Sequence, residues 1–151
     1  MTASIPIATW AKSQSRRQNT RKGNAFQNEI ASFLRSHGWL VDVVEPVRRM
    51  IYRGGRATWM TTKEDLLGVF DLLALRPDAG PVLLIQATTS RGLLRRKIRS
   101  IEASGLKGAV DGREIMVWTR GLAGKQWDAW FSGPSGRWFP FDPMARYGVQ
   151  P

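Results

Sequence analysis

The chain has 151 residues, of which 42% are apolar, and a formal net charge of +11. One domain with a real hydrophobic core fits this length, and the apolar content excludes wholesale disorder. The sequence holds no cysteine and one histidine, which excludes disulfides and thiolate zinc sites and leaves histidine-based triads without support.

The N-terminal segment lacks the apolar stretch of a signal peptide, and no apolar run approaches the length needed to span a membrane. From these features we predict a cytoplasmic protein without a membrane partner.

The first predicted element is a flexible basic arm over residues 1–22, where Ser, Gln, Thr and Arg follow one another without a helical period. A single domain over 23–151 follows. It begins with a helix that Asn24 can cap and that continues to His37, because Gly38 supplies the residue that commonly ends a helix.

Two apolar runs in the middle of the chain predict a hairpin of buried strands. Residues 68–75 and 81–89 are joined by the short turn Arg76-Pro-Asp-Ala-Gly80. Side chains alternate between the two faces of a strand, so Gln86 and Thr88 are predicted to share one face.

The remaining elements complete an α/β order. Leu94, Ile98 and Ile101 form the apolar stripe of a helix whose outward face is rich in Arg and Lys. We predict a mixed central β-sheet flanked by helices and ending in a C-terminal β-hairpin. The other predicted elements are a strand over 39–44, a basic ribbon over 47–60 around Arg53-Gly-Gly-Arg56, the helix over 91–103, a strand over 114–120, and the hairpin strands 126–131 and 137–141.

Asp71 is the candidate site residue that the pattern singles out, because a lone carboxylate in an apolar strand is costly unless it is paired or metal-bound. Gln86 can supply an amide oxygen and Ala87 a main-chain carbonyl, and oxygen atoms are the ligands that Mg²⁺ prefers. The alternative is that Asp71 faces solvent or caps a neighbouring loop, and that Gln86 simply ends its strand.

The order of these segments resembles the PD-(D/E)XK nuclease superfamily, and specifically the archaeal-type Holliday junction resolvases and their phage relatives. The resemblance is carried by residues 21–30, 34–41, 70–75 and 83–88. It implies a restriction-endonuclease-like core, hydrolysis of branched or double-stranded DNA with Mg²⁺ or Mn²⁺, a homodimer, and a bacterial or phage-infected host cell. By motif, Asp71 matches the central acid, Gln86 the second acid, and Thr88 the lysine.

The sequence departs from the family pattern at three points. Gln86 replaces a carboxylate, as in some relatives including a transposition endonuclease, and Thr88 cannot supply the cation of the motif lysine. The helix acid is displaced: counting four residues from Gly23 gives Gln27, whereas the acid is Glu29, which we favour. Lys97 borders the inward stripe of its helix and is our candidate for the missing cation; its alternative role is to contact DNA phosphate.

These residues define the predicted site. The catalytic candidates are Glu29, Asp71, Gln86, Thr88 and Lys97, and the metal ligands are Asp71, Gln86, Glu29 and the carbonyl of Ala87. Basic clusters predict binding to a phosphate backbone rather than only a solvated or membrane-facing surface. The predicted DNA contacts are Arg16, Arg17, Arg21, Lys22, Arg53, Arg56, Arg91, Arg95, Arg96 and Arg99. The alternative function is a DNA-binding protein that has kept the nuclease fold and lost catalysis.

Overall fold

The computed structural model describes residues 7–45, 47–62, 65–78, 80–106 and 112–148, without the side chains of 7–17 and 61–62. In the described part of the chain, no helix has the length and apolar character required to cross a membrane. The elements are α1 (Ile7–Ser36), β1 (Leu40–Val43), β2 (Val47–Arg53), β3 (Arg56–Thr62), β4 (Leu72–Leu75), β5 (Val82–Thr88), a 3₁₀ turn (Arg91–Leu93) that runs into α2 (Leu94–Ala103), β6 (Arg113–Arg120), β7 (Trp127–Ser132), β8 (Trp138–Phe141) and α3 (Pro143–Tyr147).

Six strands form one mixed sheet in the order β1-β4-β5-β6-β7-β8. β4 and β5 pair antiparallel, as the short turn between them predicts, with Leu72 opposite Ile85. β5 and β6 pair parallel, because the chain between them crosses over through α2. β7 pairs antiparallel with both β6 and β8. The predicted α/β class with a mixed sheet and helices is confirmed.

The two long helices pack in two separate apolar clusters, one on each face of the sheet. Residues of α1 pack in one cluster with Leu83, Ile85 and Ala87 of β5. Residues of α2 pack in the other cluster with Leu84 of the same strand. Because successive side chains of a strand point to opposite faces, Gln86 and Thr88 lie on the α2 face.

Helix α1 is longer than predicted. It begins at Ile7 rather than at Asn24, so residues 7–22 are helical where an irregular arm was expected. Alanine, lysine, glutamine and arginine are strong helix formers and can sustain a helix without an apolar stripe. The predicted end is confirmed: Gly38 has a φ of +83°, and the backbone N–H of Trp39 bonds back to the Leu34 carbonyl.

A short helix, α3, follows β8 and was not predicted. Asp142 caps it by accepting a hydrogen bond from the Met144 N–H at 2.9 Å, and Pro143 takes the first helical position. Tyr147 is buried against the sheet, and its hydroxyl donates to Glu114 at 3.2 Å. Burial and the nearby Glu114 carboxylate raise the pKa of Tyr147 above its ordinary value, so the phenol stays protonated.

The core under α1 can be tested with one pair of matched substitutions. Leu34 is fully buried, whereas Leu40 at the edge strand is 57% exposed. Leu34→Ala should lower the free energy of unfolding by about 2–5 kcal/mol, because it leaves a cavity between α1 and the sheet. Leu40→Ala should change it by less than about 0.5 kcal/mol. Urea unfolding measures both values, and equal losses would contradict this packing.

Candidate active site

Asp71 lies at the point where the chain enters β4, and its backbone is fixed from both sides. Its N–H donates to the Ile85 carbonyl at 2.9 Å, and its carbonyl accepts from the Val44 N–H at 2.9 Å. The regular pairing of β4 with β5 ends with Leu72 opposite Ile85, and Asp71, one residue before Leu72, contacts Gln86 through its side chain. The hairpin therefore brings together the two residues that the sequence pattern had paired.

The Asp71 side chain is 3% exposed and accepts hydrogen bonds from β5. Its Oδ2 atom accepts from the Ala87 N–H at 3.0 Å and from the side-chain amide of Gln86. The backbone pairing of β4 with β5 ends before Ala87, and the Asp71 carboxylate accepts the hydrogen bond from the Ala87 N–H instead. A buried carboxylate is tolerated here because donors from the neighbouring strand stabilise its charge.

Gln86 and Thr88 are buried on the same face, as alternation predicts. The Gln86 amide Nε2 donates to Asp71 and also lies 3.4 Å from the Ala87 carbonyl oxygen. The Thr88 hydroxyl exchanges two long hydrogen bonds of 3.4 Å with the backbone of Ser90. Thr88 therefore shapes the turn that leads from β5 into the 3₁₀ turn and α2.

Lys97 differs from the basic residues around it. It is half-buried in the first turn of α2, whereas Arg95, Arg96 and Arg99 are exposed. This agrees with a position at the border of the apolar stripe. Only two residues separate β5 from the 3₁₀ turn before α2, so the helix begins beside the Thr88 end of the strand. A catalytic role for Lys97 remains a prediction.

Glu29 lies in α1, which packs in the other cluster of the sheet, and its contacts differ from the predicted ones. Its carboxylate pairs with Arg120 at the end of β6, at 2.7 Å, and accepts from the Gln126 amide at 3.1 Å. The Arg120 guanidinium also lies 4.5 Å from the centre of the Phe26 ring. The Glu29 carboxylate is therefore engaged with Arg120 and Gln126, and its role as a metal ligand remains a prediction.

Gln27, the alternative to Glu29 on the same helix, is 6% exposed. The two residues are separated by about 200° around the helix axis, so they cannot serve the same point. Sequence reasoning missed Arg120 and Gln126 as the partners of Glu29. Arg120 is 91 positions away in the chain, and no local pattern signals such a contact.

The groups around Asp71 include oxygen atoms, the type of ligand that a hard cation binds, but a single carboxylate. In the part of the chain that is described, no three acidic or histidine side chains lie together as a metal-binding group. The candidate metal ligands near Asp71 are its own carboxylate, the Gln86 amide and the main-chain carbonyl of Ala87. Mg²⁺ is commonly held through one or two carboxylates and retains water ligands. Gln86 directs its amide nitrogen at the Asp71 carboxylate, and a 180° turn of the amide is needed to direct its oxygen there, so a Mg²⁺ site at this point remains a prediction.

The predicted DNA contacts are mostly exposed. Arg21 and Lys22 are exposed on α1, Arg53 and Arg56 at the turn of the ribbon, and Arg95, Arg96 and Arg99 on α2. Arg91 is engaged within the protein: it pairs with Asp128 at 3.0 Å and lies 5.6 Å from the centre of the Trp130 ring. The side chains of Arg16 and Arg17 lie outside the described part.

Comparisons with protein-family models, with curated proteins and with solved structures gave no match to this chain.

A double-mutant cycle measures how strongly the Glu29–Arg120 ion pair stabilises the folded protein. Glu29→Gln, Arg120→Gln and the double variant should give a coupling energy of about 0.2–1 kcal/mol, because both side chains are partly exposed and screened by water. Urea unfolding supplies the four stabilities. A coupling energy of zero would show that the pair does not hold Glu29 in place in solution.

Proposed function

We propose that this chain is a Mg²⁺-dependent endonuclease that hydrolyses phosphodiester bonds in branched or double-stranded DNA, similar to the Holliday junction resolvases of the PD-(D/E)XK superfamily. The observation that carries the proposal is the meeting of the Asp71 carboxylate, the Gln86 amide and the Ala87 backbone at one buried point. The matching segments of those nucleases place their metal ligands in this order along the chain.

Each site residue has a role that follows from its contacts. Asp71, Gln86 and the Ala87 carbonyl would hold Mg²⁺, which supplies Lewis-acid activation of the phosphate and an attacking water. The Ala87 N–H keeps the Asp71 carboxylate oriented at 3.0 Å. The Lys97 ammonium would stabilise the negative charge that develops on the phosphate, since Thr88 carries no charge.

The surface charge supports DNA as the substrate. Helix α2 follows β5 after a short turn and exposes Arg95, Arg96 and Arg99. The chain carries 23 basic and 12 acidic residues, which favours a polyanionic partner. The exposed arginines of α2 would contact the phosphates of a DNA backbone. A homodimer in the cytoplasm of a bacterial or phage-infected cell belongs to the same proposal.

A second candidate function, DNA binding without cleavage, is favoured by one specific observation. The Asp71 carboxylate already receives donors from Gln86 and Ala87, and Glu29 is paired with Arg120, so the negative charge at the site is low and internally satisfied. Such a protein would bind DNA in a salt-sensitive way that needs no metal ion.

Cleavage assays separate the two candidates. Four-way junctions, flaps and duplexes are incubated with the protein in Mg²⁺ or Mn²⁺, and the cleavage rate is measured. Asp71→Asn should lower the rate at least about 100-fold, because the metal's charge stabilisation is worth several kcal/mol. Asp42→Asn, the same substitution at an exposed position of β1, is the matched control. Cleavage that survives Asp71→Asn would contradict the assignment of the site to Asp71, whereas no cleavage of any substrate would favour the non-catalytic function.

Gln86→Glu tests metal binding without relying on turnover. The variant places two carboxylates side by side, which should destabilise the metal-free protein by like-charge repulsion and strengthen Mg²⁺ binding. Its melting temperature should therefore rise more on addition of Mg²⁺ than that of the wild type; ligand at 100 times its Kd stabilises by about 2.7 kcal/mol.

The control for this measurement is the double variant Asp71→Asn with Gln86→Glu, which again carries one carboxylate and should lose the extra response to Mg²⁺. Equal responses of all three proteins would place the metal site elsewhere in the chain.

A further inference from the structure

β2 and β3 form a two-stranded sheet separate from the six-stranded one. The two strands pair in unbroken register from Val47 opposite Thr62 to Arg53 opposite Arg56. Among the described side chains of residues 47–60, Ile51 alone is half-buried and the others are exposed. An isolated two-stranded hairpin is marginally stable in water, so a ribbon of this kind gains order from a partner.

The ribbon has two chemically different faces. Alternation and register put Met50, Tyr52 and Trp59 on one side, which we call the aromatic face. Tyr52 is 76% exposed and Trp59 58% exposed. Arg53 and Arg56 oppose each other on the opposite side, the arginine face, which also carries Arg49 and the half-buried Ile51, whereas Arg48 lies on the aromatic face.

The Trp59 side chain contacts a neighbouring arginine on the same face of the ribbon. The Arg48 guanidinium lies 5.5 Å from the centre of its indole ring, in the geometry of a cation–π contact. This contact covers one side of the ring and orients it, while more than half of the residue stays exposed. A large, oriented and exposed aromatic ring is a feature of a binding surface rather than of an ordinary solvated strand.

Charge identifies the class of partner. Residues 47–62 contain four arginines and no acidic residue. A second copy of the ribbon would oppose like charges across its arginines, whereas a nucleic acid offers phosphates to one face and bases to the other. In a fully paired duplex the base faces are covered by their neighbours. Exposed aromatic rings therefore suit bases that are unpaired.

We propose that the ribbon over Val47–Thr62 recognises DNA with unpaired bases, at a branch point or a single-stranded flap. The aromatic face stacks on the unpaired bases through Trp59 and Tyr52, and the arginine face contacts the flanking phosphates. This inference rests on the DNA-binding part of the proposed function and is independent of hydrolysis.

Binding measured in EDTA tests the proposal, because cleavage cannot then contribute. Fluorescence anisotropy gives the affinity of the whole protein for labelled single-stranded, flapped and fully paired DNA. Trp59→Leu keeps an apolar side chain and removes the aromatic ring. It should weaken binding to the first two ligands about 10-fold, because stacking on one base contributes a factor of this order. Binding to the duplex should change less than about 2-fold.

Three further variants control the interpretation. Trp59→Phe keeps an aromatic ring and should retain most of the preference for unpaired bases. Tyr52→Leu should repeat the selective loss independently of Trp59. Arg53→Gln combined with Arg56→Gln should weaken binding to all three ligands and lower the slope of log affinity against log salt by about 2. Circular dichroism and the unfolding midpoint establish that each variant is folded.

The outcomes are distinct. Unchanged affinity of both Trp59→Leu and Tyr52→Leu for single-stranded and flapped DNA would overturn the proposal, as would an equal loss on duplex DNA. A dimer in sedimentation that becomes a monomer in Trp59→Leu, with DNA affinity unchanged, would show that the aromatic face binds a second copy instead. Failure of the wild type to bind any DNA would overturn the proposed function itself.

Discussion

The buried carboxylate of Asp71 imposes the central constraint on this structure. A buried carboxyl group needs hydrogen-bond partners within the protein, and Asp71, which is 3% exposed, has them on β5 in the Ala87 N–H and the Gln86 amide. Its backbone meanwhile bonds to Ile85 and Val44. Asp71 thereby connects the start of β4 to β5 and to Val44, the residue that follows β1.

The two long helices belong to different apolar clusters of the sheet. Helix α2 belongs to the cluster on the Gln86 face and exposes arginines at its surface, with Lys97 half-buried between them. Helix α1 belongs to the other cluster, and its acid, Glu29, is neutralised by Arg120. The arginines exposed on α2 give the face that carries Gln86 and Thr88 a positive surface, which is the polarity that a phosphate backbone requires.

Elements with a strong local signal were predictable. Apolar runs and short turns located β4, β5 and α2, and Gly38 located the end of α1, because periodicity and positive φ are properties of a few consecutive residues. The predicted start of α1 was wrong because residues 12–22 contain no apolar residue that would reveal a helical period. Helix α3 was missed although Asp142-Pro143 is a capping signal, since the segment is too short to show a period.

The sequence by itself indicated that Asp71 and Gln86 lie near each other, because a short connection joins the two apolar strands next to which they stand. It also determined the basic charge along the ribbon and α2. Only the tertiary structure decided that Glu29 pairs with Arg120 and that the ribbon stands apart from the main sheet with Tyr52 and Trp59 exposed. Contacts between residues distant in sequence depend on how helices pack against the sheet. No local pattern in the chain encodes that packing.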